Sequence, residues 1–225
     1  LFDPVRRRLA ALTWVQRSLL LGIVLSVAWM AWSTHTLYSR ALKDTVLFIA
    51  IPGALAVTHG KQLGYRVDRR ALRNTVLLAL FVLPFYVVGS TLPTVREYYP
   101  MFGLESLALA RFLPHTVLQF VLVLAAETYY RGLLCVGVRE LGPISWFISP
   151  VAYVWVHFAK PPVELLLSAP TDVLFGAVDY DADSLLPSVV AHAGGFVVLD
   201  YLVLHEPILP PQQVLEWLSW VPVPL

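Results

Sequence analysis

The chain has 225 residues, of which 58% are hydrophobic and 14% charged, with a mean hydropathy of +0.70. A soluble domain carries about 25% charged residues, so this apolar content has too little polar surface to cover it, and the reading is an all-α polytopic transmembrane bundle. A net charge of +1 gives no electrostatic case for a nucleic-acid partner, and the single Cys135 excludes an internal disulfide and a Cys-based metal cluster.

The chain begins at Leu1 rather than a methionine, so a trimmed start is expected. Asp3 to Arg17 is a basic, amphipathic lead-in with Arg6, Arg7 and Arg8. Ser18 to Tyr38 has no Asp, Glu, Lys or Arg and is expected to span. It lacks the small-residue cleavage site of a secretory leader. Asp44 is expected to interrupt the chain before a short, kinked helix over Thr45 to His59, which contains Pro52-Gly53. Lys61, Arg66, Arg69, Arg70 and Arg73 form the largest positive cluster between spans. The positive-inside rule makes that loop, and the Arg-rich N-terminus two spans earlier, cytoplasmic.

Asn74 to Val95 reads as the third span, Arg96 to Arg111 as an outer connection, and Phe112 to Val138 as the fourth span. Gly142-Pro143 breaks the chain; apolar stretches follow at Pro143 to Val156 and Glu164 to Val178. Asp179, Asp181 and Asp183 read as an acidic turn, Leu185 to Leu204 as the last strong helix, and Gln212 to Trp220 as a short interfacial helix. The sum is about seven spanning helices in one membrane domain, 1–225. Helices in 1–95 serve as scaffold, and those in 112–204 carry the chemistry.

That division follows from where the ionisable residues fall. Glu127 and Arg131, four apart, share a helix face inside an apolar run. Each costs roughly 2.5–3.5 kcal/mol to insert at the bilayer centre, so such residues face a bundle interior or a wet cavity. His157, Asp172, His192 and Asp200 are the other candidates, all downstream. Plain structural roles compete at each position. Glu127 with Arg131 can be a structural ion pair, each His a hydrogen-bonded core residue, and Asp172 a helix–helix contact. Asp200 can be solvated at a helix end, and Cys135, one turn beyond Arg131, can pack as a small apolar group. Together, a Glu, two His and an Arg can perform hydrolysis: one group takes a proton from water, another donates to the oxyanion, and the Arg holds the carboxylate ionised. No cofactor is required. Zinc is a weak alternative, because no His-Glu-x-x-His pair is present.

Three segments in order resemble the CPBP family, which comprises CAAX prenyl proteases and bacteriocin-processing enzymes and is regarded as a group of glutamic-type intramembrane proteases. They are Ala126-Glu127-Thr128-Tyr129-Tyr130-Arg131-Gly132, Tyr153-Val154-Trp155-Val156-His157, and His192-Ala193-Gly194-Gly195-Phe196. The family patterns are Glu-Glu-x-x-x-Arg-Gly, aromatic-x-x-x-His and His-x-x-x-Asn, and the resemblance covers about Val121 to Val198. It implies an intramembrane endopeptidase acting on a membrane-anchored or lipidated protein in the lipid bilayer. In a branch that processes C-terminal sorting tags, the location would be a bacterial inner membrane.

By the resemblance, His157 and position 126 would activate water, His192 would stabilise the oxyanion, and Glu127 with Arg131 would support them. Tyr153 carries the second pattern. Two positions depart. The expected catalytic Glu is Ala126, and the expected Asn is Phe196, with Asp200 one turn on as a stand-in by spacing alone. An alanine at 126 is what a silencing substitution produces, so activity is expected to be strongly reduced or absent. The readings left open are a non-catalytic membrane binder that keeps the fold and, with no inverted repeat to support it, a proton-linked transporter. Counting spans also puts Arg131 near the inner side and His157 near the outer, a mismatch in depth unless the helix bearing His157 is displaced or re-entrant.

Overall fold

The computed structural model describes residues 11–225, so the arginines at 6–8 lie outside the described residues. All regular structure among them is helical. Helix α1 (Trp14–Ala31) starts at a capping box, in which the Thr13 side chain accepts from the Gln16 N–H and the Gln16 side chain reaches back. Helix α2 runs Leu37–Thr58 through a widened, π-type turn at Thr45–Ala50. The expected break at Asp44 is therefore absent. Asp44 is buried inside α2 because Arg40 (2.8 Å) and the Trp29 indole N–H (2.8 Å) satisfy it. Helix α3 (Arg69–Gly89) is capped by Asp68, and a short α4 (Pro93–Tyr98) lies in the connection between α3 and the next long helix. Helix α5 (Leu109–Leu133) ends in a second π-type turn, Thr128–Leu133.

The largest departure from the sequence reading follows α5. The stretch expected to span over Pro143 to Val156 forms tight 3-10 turns at Val136–Phe147, interrupted at Val138 and at Gly142 (φ 65°), and then an eight-residue helix α6 (Ser149–Val156). Eight residues rise about 12 Å, far short of a hydrocarbon core of about 30 Å. Gly142-Pro143 and Pro150 supply the breaks.

Helix α7 (Pro162–Ala182) is longer than expected. Asp179 and Asp181 lie on it rather than in a turn, and only Asp183, left-handed at φ 52°, closes it. Helix α8 (Leu186–Val203) and the short α9 (Pro211–Trp217) complete the chain. Five of the described helices, α1, α2, α3, α5 and α8, are long and apolar enough to cross a membrane. Four acidic residues, Glu164, Asp172, Asp179 and Asp181, set α7 apart from them.

Helix α8 packs along α3 and against α5 and α7. The α3–α8 approach depends on Gly195, because a Cβ there would run into the Tyr86 ring. Phe48 of the first π-type turn stacks on Tyr129 of the second (4.4 Å, 17°), so the two widened turns share the core with α1. One end of the bundle gathers the basic loop: Lys61 pairs with Glu140 (2.9 Å), Arg66 with Asp183 (3.3 Å), Arg70 with Asp181, and Arg139 with Asp183. At the other end, Arg96 donates to the carbonyls of Val203 (2.8 Å) and His205 (2.7 Å), closing the C-terminus of α8.

Candidate functional site

Glu127 ends the α-helical part of α5, and the π-type turn carries Arg131; both are fully buried. Such widened turns are frequent at functional sites. The two Glu127 oxygens are used separately. Oε1 lies 2.7 Å from His192 Nδ1 and Oε2 lies 3.0 Å from Arg131 Nε. Arg131 Nη1 lies 2.9 Å from Asp172 Oδ1, and Asp172 Oδ2 accepts from the Ser149 hydroxyl (2.5 Å). One continuous line thus joins α8, α5, α7 and α6. Its guanidinium sits 4.8 Å from the Tyr153 ring and 5.5 Å from that of Phe175, contacts that stabilise a desolvated cation. Truncating one member of such a line leaves a buried charge uncompensated.

The histidines are held by one nitrogen each. His157 Nδ1 lies 2.7 Å from the Tyr153 carbonyl, which only accepts, so Nδ1 carries the proton and Nε2 keeps its lone pair. His157 lies outside the five long apolar helices, and burial holds its imidazole down to about 4, in the neutral form. His192 donates from Nδ1 to Glu127 when that carboxylate is ionised. Its ring stacks on Phe196 (4.9 Å, 29°), and Nε2 remains available. The Tyr153 ring lies 4.2 Å from the His157 ring and also faces Arg131. Helix α6 begins inside the bundle, at Ser149 on Asp172, so Tyr153 connects Arg131 with His157 despite the depth difference that span counting gives.

The remaining sequence candidates fall elsewhere. Ala126 is partly buried and packs, with Ala152 and Val156 of α6, against the cluster of Tyr129, Tyr130 and Tyr153. Cys135 is fully buried, donates to the Gly176 carbonyl (3.4 Å), and has its thiol pushed up to about 12 by burial. Asp200 is two turns from His192 and lies 3.4 Å from His115 Nε2 of α5. Among the described residues no three His, Cys, Asp or Glu side chains converge to hold a metal ion.

Several polar residues beside the site are not among the sequence candidates, and Asp179 reads in the sequence only as part of an acidic turn. Ser149 closes the ion line. Asp179 is fully buried and accepts from both the N–H (3.1 Å) and the hydroxyl (2.5 Å) of Ser188 in the first turn of α8. Lys160, three residues after His157, donates to the Tyr99 hydroxyl (2.6 Å), which donates to Glu164 (2.9 Å). The Lys160 ammonium also lies 5.7 Å from the Phe196 ring. No spacing rule marks these residues. His115 and Gln119 are different, because they are four residues apart on α5 and thus share one helical face.

Residues 108–195, under half of the chain, match the family model described as type II CAAX prenyl endopeptidase, Rce1-like. The matched segment contains Glu127, Arg131, His157, Asp172 and His192, and stops one residue short of Phe196. No curated protein and no solved structure matches the chain.

Proposed function

We propose that the chain, whose residues 108–195 match the type II CAAX prenyl endopeptidase model, is an integral membrane protein of the CAAX-protease (CPBP) family, with the architecture of a glutamic-type intramembrane endopeptidase whose water-activating carboxylate is replaced by Ala126. The observation that carries this reading is the buried line Ser149–Asp172–Arg131–Glu127–His192, with a free Nε2 on both His192 and His157.

In the proposed reaction, a water oxygen attacks a peptide carbonyl of a membrane-anchored or lipidated protein. The water proton passes to a carboxylate at position 126 together with His157 Nε2, and later to the departing amine. The carbonyl oxygen becomes an oxyanion facing His192, in a low-dielectric site where a fixed donor counts most. Glu127 and Asp172 are two buried carboxylates sharing one guanidinium. A proton on the Glu127–His192 couple brings the group to neutrality and supplies that donor. Glu127, Arg131 and Asp172 set positions, and Phe196 holds the plane of the His192 ring. With Ala126 the proton acceptor is incomplete, and turnover is expected to be strongly reduced or absent.

By the positive-inside rule, the basic loop at 61–73 supports a cytoplasmic N-terminus. A bacterial inner membrane and processing of a C-terminal tag are the setting that suits a divergent third motif. The test is co-expression of the Ala126→Glu form with single-pass or lipidated substrates cut by active relatives. Appearance of a shortened product is expected; absence of product with a folded Ala126→Glu protein would contradict the reading.

A second reading has its own support. Ala126 and Phe196 both replace polar family residues with groups that pack, which suits a non-catalytic membrane binder. Stable capture of an uncut substrate by both the Ala126 and the Ala126→Glu forms would favour it.

A further inference from the structure

Two to three turns from Glu127, and two from His192, the same pair of helices holds a second group of polar side chains. His115 and Gln119 come from α5, and Asp200 from α8; they are 8%, 3% and 1% exposed. They differ from the first group in how closely they are paired: there Glu127, Arg131, Asp172 and His192 are joined by approaches of 2.7–3.0 Å. His115 Nε2 and Asp200 Oδ2 approach only to 3.4 Å. Asp200 Oδ1 and Oδ2, Gln119 Oε1 and Nε2, and His115 Nε2 all lack a hydrogen-bond partner. A buried amide or hydroxyl without a partner costs about 1–3 kcal/mol on protein scales, and a carboxylate costs more. Asp200 Oδ1 and both Gln119 side-chain atoms have neither a hydrogen bond nor an ion pair among the described residues, and buried polar atoms of this kind on two packed helices call for a ligand.

The atoms specify its chemistry. Asp200 and the Gln119 carbonyl need donors, whereas the Gln119 amide needs an acceptor. A bound proton meets one of these demands. A sodium ion would meet the oxygens and leave the amide unpaired. Water both donates and accepts, and a buried water makes about three hydrogen bonds. We propose that His115, Gln119 and Asp200 form an intramembrane hydration site, and that it supplies water to the Glu127–His192 couple about 12 Å further along α5. Val123 on α5 and Phe196 on α8 lie between the two layers in sequence, and the supply role is a transient passage of water along these helices that leaves the Val123 amide unhydrated at equilibrium. The supply role rests on the hydrolytic reading above; the hydration site does not.

The test is water-edited solid-state NMR on the full chain in lipid bilayers. The Gln119 side-chain amide is assigned by its disappearance in Gln119→Glu, and the Val123 amide, one turn on, serves as a dry control. Rapid magnetisation transfer from water to Gln119 and to the His115 ring is expected, with Val123 silent. Asp200→Leu should lower the transfer to the level of Val123, and Asp200→Asn should retain it. A Gln119 amide as silent as Val123 in the unmodified chain overturns the site, whether or not any form of the protein cuts a substrate. In a cutting Ala126→Glu form, Gln119→Leu is expected to lower kcat several-fold with KM unchanged, and an unchanged kcat removes the supply role. If no form cuts, the hydrolytic reading and the supply role fall together, and the NMR result still decides the hydration site.

Discussion

Helices α5 and α8 cross twice through a carboxylate–imidazole couple, with the partners exchanged. At one crossing the carboxylate, Glu127, is on α5 and the imidazole, His192, on α8, 2.7 Å apart. At the other the imidazole, His115, is on α5 and the carboxylate, Asp200, on α8, 3.4 Å apart. The first couple is backed by Arg131, Asp172 and Ser149; among the described residues the second has no comparable ion line, and its Asp200 Oδ1 has neither a hydrogen bond nor an ion pair. Burial and residue type are alike, so neither explains the difference. What separates the couples is the shell behind them. A backed couple fixes an imidazole for chemistry, whereas an unbacked one leaves room for a mobile ligand.

Charge deletion should divide the two crossings most sharply. Arg131→Met leaves Glu127 and Asp172 buried without their cation, and breaking a buried pair costs about 3–5 kcal/mol. Chemical denaturation in mild detergent should register that loss. The double replacement His115→Leu with Asp200→Leu removes both partners and their unmet atoms, so it should be neutral or stabilising. Equal losses at both crossings would erase the distinction.

The next effect concerns the helix contact that holds α8 in place. Gly195→Ala drives a methyl into Tyr86, and overpacking of this kind costs about 1–3 kcal/mol. It should destabilise without touching either couple. Phe196→Leu is smaller. It removes the stack on His192, and such aromatic pairs contribute about 0.5–1.5 kcal/mol beyond their buried area. In a cutting form it should lower kcat more than it raises KM, because the His192 ring loses its fixed plane.

Acid should have the least effect, and only at the charged rim. Hydrogen bonds from Arg70 and Asn74 hold the Asp181 carboxyl below its ordinary value of 3.8. Its folded pKa is thus depressed, so its contribution is present above 3.8 and is lost as pH falls through the lower folded value. The group is largely solvated, so melting temperature should drift down only slightly over that range.

How much of this was legible depended on whether a residue's role is local. Glu127, Arg131, His157, Asp172 and His192 were readable because charged or imidazole groups inside apolar runs need interior partners. The α7–α8 turn was misread: Asp179 resembles its solvated neighbours Asp181 and Asp183, and only Ser188, nine residues on, keeps it buried. Asp44 reads as a break until Trp29 and Arg40, from 15 and four residues earlier, satisfy it. The fold-back over 136–156 was hidden by composition, since an apolar stretch looks alike whether it spans or re-enters. Gly142-Pro143 marked the break but not the direction of the chain after it. The His115–Gln119 face was visible by helical spacing, but its partner Asp200 was read toward His192 instead.

The central claim is that position 126 is where a proton acceptor belongs and that Glu127 is its support. The most direct measurement is the cleavage rate of a purified membrane-anchored substrate in proteoliposomes, compared across the unmodified chain, Ala126→Glu, and Ala126→Glu with His157→Ala. The account predicts a gain of about 10²–10⁴-fold on introducing the carboxylate, the range of a positioned general base, and loss of most of that gain with His157→Ala. Turnover by the unmodified chain equal to that of Ala126→Glu, or turnover indifferent to His157, would contradict it.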